Sequence, residues 1–254
     1  MSTGTAAERY VSEGRHAGRI VLVTGARGGL GSAACARLAA EGAVVVATDL
    51  KAPDGALTDT GGELALDVTD PDAWRTVVEA VTGRYGRIDA LLMSHGSQGP
   101  ECPIDEVPVD GWARTMRINL DSCFLGLRAV VPVMREQGHG RVLVLSSIAG
   151  RDGNEAMAAY SVAKAGVIAL AKSAAKDVAR HDVMINTVAP AMFQTPLTGD
   201  LSPERNAMLL SKVPMGRIGQ PPEFAALAAW ALSPECSYTT GHVFDLTGGR
   251  YTGD

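Results

Sequence analysis

Apolar residues in this chain fall into short runs with almost no polar interruption, and the stretches between them repeat apolar and small residues at helical spacing. The runs IVLVT (20–24), AVVVATD (43–49), RVLVLSS (141–147) and VMINTVA (183–189), with shorter ones at 63–67 and 88–93, predict β-strands. The intervening stretches predict helices over 31–42, 71 to about 85, about 111–135 and about 158–180. Strands apolar on both sides are buried on both faces, and a helix-length crossover between successive strands requires parallel pairing with helices on each side. The expected architecture is therefore α/β: a doubly wound parallel sheet of about seven strands with helices on both faces, in a single domain over residues 18–254. Residues 1–17 are polar and small without periodicity and read as a mobile leader, with order starting near Arg19. The stretch 193–216, helical around 203–212 and bounded by Pro196 and Pro214, reads as a lid inserted between sheet elements.

Composition narrows the partners. With 254 residues, 46% of them hydrophobic and 20% charged, the chain can bury a core of its own. Its net charge of −5 and its lack of Lys/Arg runs speak against nucleic acid or anionic lipid. The longest apolar stretches, 43–47 and 224–232, fall far short of the ~20 residues that span a bilayer. Cys35, Cys102, Cys123 and Cys236 are scattered, with no metal-ligand spacing; they read as reduced thiols of a cytoplasmic protein with no metal.

Two constellations carry chemistry. Thr24-Gly25-Ala26-Arg27-Gly28-Gly29-Leu30-Gly31 joins the first strand to the first helix. Glycines there let the backbone turn sharply and approach a pyrophosphate, whose charge the free N–H groups at the helix start would stabilise. Asp49 ends the second strand, 20 residues beyond Gly29, where an acid binds adenosine ribose hydroxyls. A carboxylate there repels the 2′-phosphate of NADP and favours NAD, although Arg27, two places before Gly29, is a cation that could answer that phosphate. The second constellation is Ser147, Tyr160 and Lys164. Tyr160 and Lys164 stand at i and i+4 on one helix face, so an ammonium sits one turn from a phenol and favours its ionised form. Tyr160 can then be a general acid or base, and Ser147, at the carboxyl edge of its strand, can hold a substrate oxygen.

The order TGxxxGxG, then Ser147, then Tyr160-Ser161-Val162-Ala163-Lys164 resembles the short-chain dehydrogenase/reductases over about residues 19–250. The resemblance implies a Rossmann-like dinucleotide-binding catalytic domain in which hydride passes between a nicotinamide and a carbonyl/alcohol pair. Tyr160 would exchange the proton, Lys164 would assist it and bind the nicotinamide ribose, Ser147 would position the substrate oxygen, and Asn119 in INLDS would hold a water of the proton relay. It also implies adenine contacts at Asp67-Val68, further cofactor contacts at Gly96, Pro190, Phe193 and Thr195, a closing strand and turn in TGHVFDLTGG (240–249), and a homo-oligomer, a tetramer through the helices near 111–135 and 158–180.

The chain departs from the family pattern in two places. Met93-Ser94-His95-Gly96 stands where the family usually has Asn-Asn-Ala-Gly, and Ala191 follows Pro190 in place of a frequent Gly. His95 is expected either to touch substrate and tune the pH dependence or to pack beside the cofactor. Gln98, Asn154, Glu155, Met157, Met192, Phe193 and Gln194 make up the expected substrate wall, whose mixed polarity suits a hydroxylated small molecule. The leading expectation is an NAD-dependent dehydrogenase of a secondary alcohol. An NADPH-linked 3-oxoacyl or polyketide-type ketoreductase and a nucleotide-binding regulator without catalysis are the competitors; Asp49 opposes the first, and the intact Ser147, Tyr160, Lys164 and Asn119 oppose the second.

Overall fold

The computed structural model describes residue 12 and residues 14–52, 55–195 and 203–253, without the side chains of residues 203–206. The apolar runs become strands β1 (Ile20–Thr24), β2 (Val44–Asp49), β3 (Gly61–Ala65), β4 (Ala90–Met93), β5 (Gly140–Leu145), β6 (Val183–Pro190) and β7 (Val243–Leu246). They pair in parallel in one sheet of order β3-β2-β1-β4-β5-β6-β7. Alternate side chains of the same strands build two separate cores. Leu22, Leu91, Val142 and Ile185 face one side, and Val21, Leu92, Leu143 and Val188 face the other.

Helices cover both faces. On the first lie α2 (Pro71–Tyr85), α4 (Ser122–Gln137) and α6 (Ala158–Val178), whose Trp74, Leu127, Val130, Met134 and Val167 close the core. On the second, α1 (Gly29–Ala40) packs against α8 (Pro221–Ala231), with Leu38, Phe224 and Ala228 between them and the sheet. The local signals are legible. Asp70 caps α2 by accepting from Asp72 N at 2.8 Å, Pro71 opens it, and Gly86 ends it at φ 76°. Gln220 and Glu223 form a capping box on α8. The short α5 (Ala149–Asp152) follows β5, and α7 (Pro203–Ser211) lies in the expected lid. Among the described residues no helix is long and apolar enough to cross a membrane.

Most boundaries shift by a residue or two, and three differences have a physical reason. The strand expected at 63–67 lies at Gly61–Ala65, because pairing starts at two glycines that carry no apolar signal. A Cβ on Gly61 would lie 2.1 Å from the carbonyl oxygen of Val45, so only glycine allows β3 to approach β2 at this point. The single helix expected over 111–135 is two helices, α3 (Val109–Met116) and α4, joined by a π-turn over Arg117–Asp121. A π-turn inserts one residue while preserving the overall apolar stripe, so periodicity does not reveal it. Order also begins before Arg19. His16, inside the expected leader, is fully buried, its Nε2 2.8 Å from the carbonyl oxygen of Ala229 and its N–H donating to Glu41 O at 2.9 Å. Residues 1–11 and 13 of that leader, and 196–202 of the expected lid, lie outside the described residues.

Candidate active site

The strand order reverses direction between β1 and β4, and a crevice at the carboxyl ends of these strands is where open α/β sheets bind ligands. The segments leaving β1 and β4 touch there. Gly25, at φ 64°, approaches so closely that a Cβ would lie 2.7 Å from His95 N, and a Cβ on Gly31 would lie 2.2 Å from Gly25 O. No side chain caps α1 at Gly28, so the N–H groups of its first turn remain for an anion. The loop thus has the shape and the free donors that a pyrophosphate requires.

Asp49 ends β2 beside this loop. Its Oδ2 accepts from Arg27 N at 3.3 Å and its Oδ1 from Lys51 N at 3.4 Å. The Arg27 guanidinium points to Glu63 on β3 and donates to its Oε2 at 2.8 Å. Sequence reasoning missed Glu63, although the strand order that places β3 beside β2, with Glu63 opposite Ala47, contains the signal. Further along the edge, Asp67 Oδ1 accepts from Thr69 N at 2.9 Å and from Thr69 Oγ1 at 2.7 Å, and these two bonds hold its carboxyl below the usual range. Buried Trp74 fixes the adjacent residue by donating from Nε1 to Val68 O at 3.0 Å, a packing role.

On the other side of the crevice stand the residues of the second constellation. Lys164 is buried on the first turns of α6 and donates from Nζ to Leu145 O at 2.8 Å; its Nζ lies 5.8 Å from the centre of the Tyr160 ring. Ser146 donates to Lys164 O at 2.8 Å and thereby clamps α6 to the end of β5. Ser147 Oγ accepts from Ala149 N at 3.1 Å, which leaves its own hydrogen to donate elsewhere. A Cβ on Gly96 would meet Asn119 Oδ1 at 2.8 Å and Lys164 Nζ at 3.3 Å, so backbone, amide and ammonium converge around this glycine.

Asn119 sits buried in the π-turn. Its Nδ2 donates to Ser97 O and Thr115 O, both at 2.9 Å, and its Oδ1 accepts from Ser97 N at 3.2 Å. Both amide hydrogens are therefore spent on backbone, and the side chain fastens the Gly96–Ser97 loop to the π-turn. Both ring nitrogens of His95 have protein partners. Its ring is buried, with Nδ1 2.6 Å from Thr24 Oγ1 and Nε2 2.8 Å from Ser122 Oγ. Because Ser122 donates to Ile118 O at 2.6 Å, it accepts from Nε2, and Nδ1 is left to accept from Thr24; this tautomer follows from the network. His95 is a neutral strut between the end of β1 and the π-turn.

The remaining expected residues lie around the same edge. Pro190 ends β6, while Phe193 turns inward, its ring lying where a Cβ on Gly219 would come within 2.6 Å, so that this side chain belongs to the core. Met192, with Val213, Met215 and Thr247, lines a small cavity. Thr195 is half-buried, and Gln98, Glu155 and Gln194 are exposed. Asn154 N donates to Ser161 Oγ at 3.1 Å, Asn154 Nδ2 points to Met157 Sδ at 3.7 Å, and the half-buried Asn154 and buried Met157 form the loop before Tyr160. Among the described residues no group of His, Cys, Asp and Glu could hold a metal ion.

A parallel sheet with a glycine loop at its switch point, an acid after β2 and a serine, tyrosine and lysine grouped at the carboxyl edge defines a dinucleotide-binding fold equipped for acid/base chemistry. Comparison with known proteins agrees: the family model described as enoyl-(acyl carrier protein) reductase matches residues 25–251. The chain is 41% identical over 246 residues, 95% of its length and 99% of the relative's, to a 2-dehydro-3-deoxy-L-rhamnonate dehydrogenase (NAD(+)) of Sphingomonas sp. (strain SKA58). It is 37% identical over 92% of its length, and 98% of the relative's, to the 3-oxoacyl-[acyl-carrier-protein] reductase FabG of Vibrio cholerae serotype O1. Among solved structures, levodione reductase superposes with a TM-score of 0.85 at 30% identity, covering 92% of this chain and 98% of that one. A short-chain type dehydrogenase/reductase from Mycobacterium ulcerans gives 0.86 at 28% identity, covering 92% and 90%. The chain belongs to the short-chain dehydrogenase/reductase family.

Proposed function

We propose that the protein is an NAD-dependent dehydrogenase interconverting a secondary alcohol and its ketone, with Tyr160 as the acid/base. The observation that carries the choice of cofactor is the charge arrangement at the end of β2. Asp49 presents a carboxylate where the ribose binds, and the one cation of the glycine loop, Arg27, is engaged by Glu63. That ion pair is exposed and therefore weak, so the repulsion from Asp49 decides the preference. The NAD(+)-dependent Sphingomonas relative supports the same reading.

In this reading the first-turn N–H groups of α1 at Gly29, Leu30 and Gly31 hold the pyrophosphate and Asp49 holds the adenosine ribose. Asp67 and Val68 border the adenine, and Gly96, Pro190, Thr195 and Lys164 border the nicotinamide half. When bound, the nicotinamide supplies the hydride acceptor in one direction and the donor in the other. The rest is work for the chain. Ser147, whose lone pair is occupied by Ala149 N–H, donates its hydrogen to the substrate oxygen. Tyr160 accepts the alcohol proton during oxidation and returns it during reduction. The buried ammonium of Lys164 stabilises the charge that develops on the Tyr160 oxygen, at a place where few competing waters weaken it. Asn119 and His95 hold the Gly96 backbone and the π-turn rigid, and one remaining Oδ1 lone pair of Asn119 can serve a relay water.

The exposed Gln98, Glu155 and Gln194 and the half-buried Asn154 of the expected wall suit a small hydroxylated substrate, in keeping with the sugar acid for which the Sphingomonas relative is named. The similarity to FabG favours a second reading, an NADPH-linked 3-oxoacyl reductase, and Asp49 opposes it. Nicotinamide fluorescence with purified protein separates them: we expect tight NADH and weak NADPH binding. The opposite order would establish the reductase reading, and binding of neither would leave a non-catalytic regulator. Replacing Asp49 by Ser is expected to raise the NADPH/NADH affinity ratio by about tenfold or more, the scale of a close like-charge repulsion near a surface. An unchanged ratio would remove Asp49 from cofactor selection. Assembly into a homotetramer through α4 and α6 is supported by Phe124 and Val162, 50% and 46% exposed on these helices. The four free cysteines suit the cytoplasm.

A further inference from the structure

We infer that Arg250 recognises a carboxylate of the substrate, so that this dehydrogenase acts on a hydroxy or keto acid and not on a neutral alcohol. The inference rests on the dehydrogenase reading of the same site and adds the residue that selects the substrate class. Beyond β7 the chain folds back at the carboxyl edge: Arg250 N donates to Thr247 O at 3.3 Å and Tyr251 N to Thr247 Oγ1 at 3.3 Å. The same segment is tied to the lid, since Met215 N donates to Gly248 O at 3.1 Å. From there the half-buried Arg250 reaches the loop that leads into Tyr160 and donates from Nη2 to Asn154 Oδ1 at 3.1 Å. Asn154 is in turn anchored to Ser161, the neighbour of Tyr160.

Two arginines lie in this region, and among the described residues one of them, Arg151, has a carboxylate partner. Arg151 pairs with Asp245 at 3.5 Å and stacks on the Tyr251 ring, its guanidinium carbon 4.3 Å from the ring centre. Arg250 has no carboxylate within 4.0 Å among the described residues, and Glu155, the acid beside Asn154, points into solvent. A half-buried guanidinium held by one neutral amide keeps the rest of its planar donor set for an anion, and a carboxylate matches that fork with two parallel hydrogen bonds. In this inference a substrate whose reacting oxygen lies at Ser147 and Tyr160 extends toward Asn154, which is held by Ser161 beside Tyr160, and toward the Arg250 bonded to it. Its acid group ends there.

The test compares 2-dehydro-3-deoxy-L-rhamnonate with its primary amide as substrates of the NAD-saturated enzyme, for the wild type, Arg250→Gln and Arg250→Lys. Glutamine can still donate to Asn154 Oδ1, which keeps the loop contact while removing the charge. Removing one partner of a desolvated, hydrogen-bonded charge pair predicts that Arg250→Gln lowers the acid/amide ratio of kcat/KM by about 30-fold or more. The loss should lie mainly in KM of the acid, with part of it recovered in Arg250→Lys. Equal losses on acid and amide, or an unchanged ratio, would reduce Arg250 to a loop tether and overturn the inference. NADH binding is measured on the same samples. A wild type that binds NADH and oxidises the amide or a neutral polyol while ignoring the acid overturns this inference alone, whereas a wild type that binds no nicotinamide overturns the dehydrogenase reading and this one with it.

Discussion

Replacing Tyr160 by Phe is expected to lower kcat by about 10³-fold while NADH affinity stays within roughly threefold of the wild type. The size follows from what the hydroxyl does. A positioned acid/base contributes ~10²–10⁴ to rate, and here one oxygen must take the proton in one direction and return it in the other. Its aromatic ring remains in Phe, so the packing at the start of α6 and the position of Lys164, fixed by its bond to Leu145 O, persist. A loss confined to kcat, with equal loss in kcat/KM, marks an interaction made only in the transition state. Turnover at the wild-type rate would take Tyr160 out of the mechanism.

How far the sequence could carry this picture depends on distance along the chain. Contacts within one strand–turn–helix unit were legible: Gly25 to Gly31 lie on one βα connection, and Tyr160 and Lys164 share one helix face. Helix α2, with its Asp70 cap and Gly86 stop, starts and ends where its residues say it should. Contacts that depend on register across the sheet were not. Arg27 read as a free cation that could answer a phosphate, because its partner Glu63 lies 36 residues away and meets it only through the pairing of β2 with β3. His95 read as an unusual titratable group at a site; two hydroxyls, 71 and 27 residues distant, make it a strut. The π-turn at Asn119 is a backbone event that leaves no trace in side-chain periodicity. Arg250 carried no motif, and its meeting with Asn154 spans 96 residues.

The strut has a measurable consequence in acid. Burial, and secondarily the Lys164 ammonium, push the His95 imidazolium down to about 3, against 6.5 in an exposed histidine. The unfolded chain therefore binds a proton between these values that the folded chain refuses, and stability falls as pH falls through this window. Between pH 7 and pH 5 the His95 share amounts to about 2 kcal/mol, growing to about 4 kcal/mol by pH 3. His16, also buried and lowered mainly by desolvation, acts in the same direction. Below about pH 4.5 the carboxylates held low, Asp67 by Thr69 and Glu223 by Arg217, lose stabilisation as well, so the window from 7 to 5 isolates the histidines. Urea unfolding of the wild type and of His95→Gln at pH 7, 6 and 5 reads the effect as a slope, which does not depend on how much the substitution costs at pH 7. Glutamine can serve Thr24 or Ser122 but cannot titrate, so its curve should lose about 2 kcal/mol less over this interval. Identical slopes would mean that His95 is charged in the folded protein or reaches water. Thr24 could then no longer donate to Nδ1, and the connection between the end of β1 and the π-turn that carries Asn119 would have to be held in another way.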